Sequence, residues 1–157
     1  MRGCPIPHLV KSLQVRHAMT KEVVSIAPHA TVLEAARLMR RYHVSGLPVV
    51  AGGGEVVGVL SEKDVAQALD LVSPGGLLDL VLDPTGLTET RLAKMRDRLG
   101  TVRVSEVMSS EASVIAPDAP IEAAAQIMRE RKINRLPVVD SGRLVGILTR
   151  HDVLHAL

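Results

Sequence analysis

Two short stretches of this chain place a carboxylate three residues after a hydroxyl: Ser61-Glu62-Lys63-Asp64 and Thr149-Arg150-His151-Asp152. Each follows an apolar run and opens a helical pattern, so the hydroxyl falls at an N-cap and the aspartate at N3. One use of that pair is local, a capping box that satisfies orphan amides of the helix. The other is recognition. A helix start offers unpaired N–H groups and partial positive charge to an anion. A hydroxyl donates to a phosphate oxygen, and an ionised carboxylate accepts from two donors at once, as the cis-diol of a ribose presents them. Because a carboxylate repels phosphate, a sugar is expected at the aspartate and phosphate further along the ligand. The two uses are compatible.

Other groupings carry less. His151 and His155 stand four apart on the predicted last helix, but no third ligand accompanies them, and they read as surface or structural histidines rather than a metal pair. Gly52-Gly53-Gly54 lacks the lysine and following helix of a phosphate loop. No nucleophile elbow and no paired catalytic carboxylates appear. The expectation is a protein that is not an enzyme, with no metal and no catalytic cofactor.

Composition narrows the surroundings of any site. The 157 residues include no Trp, no Phe and one Tyr, Tyr42, so pocket walls must be aliphatic. A single cysteine, Cys4, excludes an internal disulfide framework and any Cys-rich zinc site. No apolar run approaches the roughly 20 residues of a membrane helix. The start, Met1 to Pro7, has two prolines and no apolar segment of the signal-peptide kind. A cytoplasmic protein with no membrane partner is expected. The net charge is +2, with basic residues spread among acids, as where Lys94, Arg96 and Arg98 surround Asp97. That pattern reads as a solvated surface rather than a nucleic-acid footprint.

The elements that must position the two hydroxyl–acid pairs come as a repeat. Val15 to Val65 is written again from Val104 to Val153, at an offset of about 89 residues. Each copy opens on Val-x-x-x-Met (Val15 to Met19, Val104 to Met108) and soon reaches a proline stop, Pro28 or Pro117. Val23 to Ile26 and Ser113 to Ile115 are short extended runs. A helix follows, capped by Thr31 and Glu34 in the first copy, with Val32, Ala35, Ala36 and Met39 at i, i+3, i+4 and i+7. Ile121, Ala124, Ala125 and Met128 repeat that spacing. Two strands then form a hairpin, Leu-Pro-Val-Val answered by Gly-x-x-[Ser/Thr]-x-x-Asp, whose loop is one residue shorter in the second copy.

The resulting fold class is α+β: two β-α-β-β-α repeats related by a pseudo-twofold axis, with a helical linker insertion. The boundaries are an N-terminal extension at 1–14, the first repeat at 15–70, the insertion at 71–101 and the second repeat at 102–157. Within the insertion, Leu77 to Leu82 and then Leu87, Leu92, Met95 and Leu99 are apolar, with Gly100 as a stop. Such helices pack on the core or form a subunit contact.

With both copies laid out, the chain resembles a tandem pair of cystathionine-β-synthase-type (CBS) domains, a Bateman module. The motifs just quoted cover about two-thirds of the sequence; each alone is weak, but all of them twice in one order are specific. The resemblance implies a non-catalytic regulatory module that binds AMP, ADP, ATP or S-adenosylmethionine in a cleft between the repeats. It also implies a disc-shaped homodimer and a regulated protein in trans. Carried over residue by residue, one cleft comprises Ser25, Ile26, Ser45, Gly46, Leu47 and Pro48 with Thr149 and Asp152. Its twin comprises Val114, Ile115, Asn134, Arg135, Leu136 and Pro137 with Ser61 and Asp64. Aliphatic side chains would sandwich a purine, and backbone groups around Ile26 or Ile115 would read its edge. Asn134-Arg135 resembles the basic position that meets phosphate in nucleotide-binding relatives, whereas Ser45-Gly46 carries no charge. The Arg135/Asp64 cleft is therefore expected to favour a phosphorylated ligand; Lys63, Lys132, Arg150 and His151 are further basic residues near it, and each reads as solvated rather than as a ligand contact. The Asp152 cleft is expected to take a less charged ligand or none. Two rival functions remain: a structural homodimerisation module with vestigial pockets, and a nucleic-acid-binding accessory protein.

Overall fold

A computed structural model describes residues 12–72 and 89–157. The elements run α1 (Val15–Ala18), α2 (Val32–Tyr42), β1 (Gly46–Val50), β2 (Val56–Ser61), α3 (Glu62–Val72), α4 (Glu89–Leu99), α5 (Val104–Val107), α6 (Ile121–Arg131), β3 (Arg135–Asp140), β4 (Arg143–Thr149) and α7 (Arg150–Ala156).

Helix α2 forms where its caps and apolar stripe agree. Thr31 Oγ1 accepts from the Glu34 N–H at 3.2 Å, and Glu34 accepts from the Thr31 N–H at 2.8 Å. Val32, Ala35 and Met39 are buried along one face, as are Ile121, Ala124 and Met128 of α6. Both helices end on a non-glycine residue in the left-handed region, His43 at φ 52° and Lys132 at φ 54°. At each end the cap N–H still returns to a carbonyl, Met39 or Met128.

Each repeat contributes an antiparallel hairpin, β1–β2 and β3–β4, with an irregularity between Val49 and Val50 and again between Val138 and Val139. The tight second turn uses Ser141 at φ 51° and Gly142 at φ 79°, the positive angles that a two-residue hairpin loop requires. The runs expected as full strands near residues 23–26 and 113–115 shrink to single parallel bridges, Ile26 to Val49 and Ile115 to Val138. Prolines just beyond each run stop the ladder.

The opening turn of each copy packs in the core of the other copy. Val15 is fully buried among Ile121, Leu136, Val138 and Leu148, while Val104 is buried among Ala35, Leu47, Val49 and Leu60. The backbone follows: Val15 N–H donates to Ala119 and Arg16 N–H to Pro117, both at 2.9 Å. Val104 N–H donates to Ala30 at 2.8 Å and Ser105 N–H to Pro28 at 3.0 Å. Across the sheets, Thr20 bridges Ile147 and Ser109 bridges Val59. The sequence repeat and the packing unit are therefore offset by one helical turn. This exchange explains why the opening methionine and the closing glycine recur together. A Cβ on Gly146 would fall 2.5 Å from Met19 Sδ, and one on Gly58 would fall 2.6 Å from Met108 Sδ.

Of the insertion, α4 packs on the first repeat. Leu99 joins Val32 and Ala68 in a third buried cluster, whereas Leu92 remains 41 % exposed. The expected run Leu77 to Leu82 and Leu87 lie outside the described residues.

Candidate functional site

Strand β2 delivers Ser61 to the start of α3, and there the capping box forms as expected. Asp64 Oδ2 accepts from Ser61 N–H at 2.8 Å and from Ser61 Oγ–H at 2.9 Å; Asp64 N–H donates back to Ser61 Oγ at 3.3 Å. Thr149 and Asp152 repeat the arrangement at 2.7, 2.7 and 3.2 Å. One carboxylate oxygen is thereby spent on the cap. Among the described residues, Oδ1 of each aspartate has no partner and stays available to a donor.

A cavity of about 530 Å³ opens at the first of these helix starts, within the size range of small-molecule sites. The first repeat supplies Ser45, Val59 and Ser61 to Asp64; the second supplies Ser109, Glu111 to Ser113, and Arg131 to Arg135. Four cations, Lys63, Arg131, Lys132 and Arg135, face three acids, Glu62, Asp64 and Glu111. The basic pair Arg131 and Lys132 sits at the C-terminal end of α6, where helix carbonyls favour positive charge. Asn134 is held by the neighbouring helix start: its carbonyl accepts from Arg150 N–H at 2.8 Å.

Of the residues assigned by sequence to this cleft, Ser61, Asp64, Asn134 and Arg135 line one cavity. Val114 is 43 % exposed beside the lining residue Ser113. Among the described residues, no backbone partner engages its N–H or C=O. Ile115, Leu136 and Pro137 are buried in the core of the second repeat and do not line the cavity. Ile115 also spends its N–H on Pro137 at 3.1 Å and its carbonyl on Val139 at 2.9 Å. The aliphatic surface in the cavity comes instead from Val59, Ala112 and Ile133. Sequence reasoning missed these, together with Ser109, Glu111, Ser113 and Arg131. No local sequence signal marks them, because the Val59–Ser109 bridge that joins the two repeats here comes from the exchange of opening turns.

Of the residues assigned to the Asp152 cleft, Ile26 and Pro48 are hydrogen-bonded neighbours. Ser45 lines the Asp64 cavity, and Ile26, Leu47 and Pro48 lie in the core of the first repeat. Ile26 donates to the Pro48 carbonyl and accepts from Val50 N–H, so it offers no free edge. Ser25 is exposed, and Thr149 and Asp152 hold their cap. Gly46 is covered by Arg135, whose Nη2 donates to Ser45 Oγ. Burial lowers the Arg135 pKa and the nearby Glu62 carboxylate opposes that shift.

His151 and His155 meet edge to face at 4.1 Å between ring centroids. Among the described residues, no three His, Cys, Asp or Glu side chains gather as a metal site. No helix among them is long and apolar enough to cross a membrane.

The family model described as CBS domain matches residues 14–71 and 104–157. The chain is 35% identical over 139 residues to the CBS domain-containing protein YhcV of Bacillus subtilis, covering 88% of this chain and 81% of that protein. It superposes on the CBS domain of a CBS domain containing membrane protein from Sphaerobacter thermophilus with TM-score 0.77 at 26% identity. That match covers 94% of this chain and 90% of the other. CBSX2, an Arabidopsis thaliana protein solved in complex with AMP, matches with TM-score 0.68 at 31% identity, over 91% and 94% of the two chains.

Proposed function

This chain belongs to the CBS domain family, and we propose from that premise that it is a non-catalytic regulatory module that binds a phosphorylated adenosine ligand in the Asp64 cavity. The observation that carries the reading is the meeting, in one space, of the Ser61–Asp64 helix start of one repeat with Arg131, Lys132 and Arg135 of the other. CBSX2, solved with AMP, supports the ligand class.

In this reading Asp64 accepts the ribose hydroxyls through its free Oδ1, while Ser61 keeps the carboxylate oriented through Oδ2. The phosphate lies away from Asp64, toward the arginines, which suit planar bidentate recognition of phosphate. The purine rests on Val59, Ala112 and Ile133, and Val114, which follows the lining residue Ser113 and whose N–H and C=O have no backbone partner among the described residues, reads its edge. AMP, ADP and ATP therefore rank above S-adenosylmethionine, whose sulfonium is repelled by the four cations of the cavity. Output runs through a partner protein or a homodimer whose geometry follows occupancy, by as much as the ligand's affinity differs between the two states.

Calorimetry with AMP, ATP, adenosine and S-adenosylmethionine tests the proposal. One phosphorylated nucleotide per chain is expected to bind more tightly than adenosine, with a concentration-dependent rise in melting temperature. No binding of any of the four refutes it.

A structural dimerisation module is the second reading, favoured by Leu154 and Leu157, which are 67 % and 74 % exposed on and just beyond α7. A stable dimer that binds none of the four ligands would select it.

A further inference from the structure

Arg135 behaves as a docked group rather than a solvated cleft cation. Its Nη2 reaches across to the first repeat and donates to Ser45 Oγ, 90 positions away in sequence. Its guanidinium lies on the backbone of Gly46, so close that a Cβ there would fall 1.6 Å from Nη1. Nη1 is buried and has no hydrogen-bond partner. The absence of a charge at residue 46 thus has a steric meaning: position 46, the repeat equivalent of position 135, is the seat on which Arg135 rests. Ser45 and Glu62 also line an adjoining groove of about 650 Å³ on the first repeat, so the docked arginine stands at the wall between two spaces.

We infer that Ser45 and Gly46 form a seat that competes with a phosphoryl group for Arg135, so that Ser45 weakens the binding of phosphorylated ligands. This inference rests on the Asp64 cavity being the ligand site proposed above. A guanidinium presents its N–H groups in a fixed plane and takes phosphate through two parallel bonds. In the docked position Nη2 is spent on Ser45 and Nη1 faces Gly46, so a phosphate that uses both must draw the group off the seat. Apparent affinity is the intrinsic affinity multiplied by the fraction of chains in which the arginine is free. The orphaned Nη1 gains a partner on release, which makes the exchange reversible rather than prohibitive. Ser45 is a positioning residue that acts through Arg135; its own hydroxyl need never touch the ligand.

The experiment compares wild type with Ser45→Ala, Ser45→Thr and Ser45→Ala/Arg135→Ala by calorimetry, using AMP, adenosine and inorganic pyrophosphate. Ser45 is exposed, so its truncation leaves the core intact. Ser45→Ala is expected to tighten AMP and pyrophosphate about two- to tenfold, the worth of one hydrogen bond, with adenosine unchanged. Ser45→Thr keeps the hydroxyl and is expected to match wild type. The gain is expected to vanish when Arg135 is also removed. Unchanged or weaker AMP and pyrophosphate binding by Ser45→Ala overturns the inference, as does failure of both anions to bind any variant. If pyrophosphate tightens in Ser45→Ala while AMP and adenosine bind nowhere, the seat stands and the adenosine reading falls.

Discussion

Met19 lies directly over Gly146, its Sδ 2.5 Å from the place a Cβ would occupy, and the contact joins the opening of one repeat to the closing strand of the other. Gly146→Ala is expected to destabilise the protein by about 1–3 kcal/mol through overpacking. Met19→Ala in the same chain should recover part of that loss, because the two positions share one volume. Denaturant unfolding of the two single variants and the double variant checks this. Strict additivity would mean that the methionine is not what the new methyl meets.

The capping boxes at Ser61 and Thr149 are geometrically alike, so they separate stability from binding. Ser61→Ala and Thr149→Ala should each cost about 1 kcal/mol. Asp64→Asn should weaken AMP by about tenfold or more, as expected when a charged acceptor loses its charge. Asp152→Asn should leave AMP affinity within error. Equal losses in the two aspartate variants would move the ligand away from the Asp64 cavity.

Acid should loosen the start of α2. Glu34 accepts from the Thr31 backbone N–H and from the Thr31 hydroxyl, and Arg103 and His29 add attraction; these hold its pKa below the ordinary carboxylate value. A carboxylate with a depressed folded pKa adds stability above its unfolded value, and that contribution is lost as pH falls through the folded one. Glu34→Gln is therefore expected to melt below wild type at neutral pH. The gap should close below the ordinary carboxylate range. Thermal melts from neutral to acid pH report it, and a gap constant in pH would exclude the mechanism.

Helix α4 is expected to be held to the first repeat through Leu99. Leu99→Ala should cost about 2–5 kcal/mol, the range for truncating a buried leucine. Leu92→Ser, at a position 41 % exposed, should change stability by no more than about 0.5 kcal/mol. Chemical denaturation of both variants decides whether the insertion is part of the cooperative unit.

Local rules made much of this molecule readable. The stripe Val32, Ala35 and Met39, the box Thr31–Glu34 and the Ser141–Gly142 turn each follow from residues within a few positions of one another. The repeat located Asp64 and Arg135, and the structure brings them to one cavity. What stayed hidden depends on direction and long-range partnership. Leu136 and Pro137 have the right chemistry for a purine wall, but β3 is covered on both faces, so both are buried although they point to opposite sides. Val15 and Val104 look like the first core residue of their own copy, and nothing near them in sequence reveals that each serves the other. The seat of Arg135 on Gly46 was read as a missing charge because a pattern of types does not show who occupies the space beside a glycine.

The reciprocal loan of Val15 and Val104 makes half a molecule an unfinished one. A fragment ending after α3 would keep α1 with nowhere to put it and would leave a hole where Val104 belongs. The two fragments mixed together should restore each other, while either alone should expose its vacancy. Melting is therefore expected as a single event for the pair, and a molecule gripping one side should steady both.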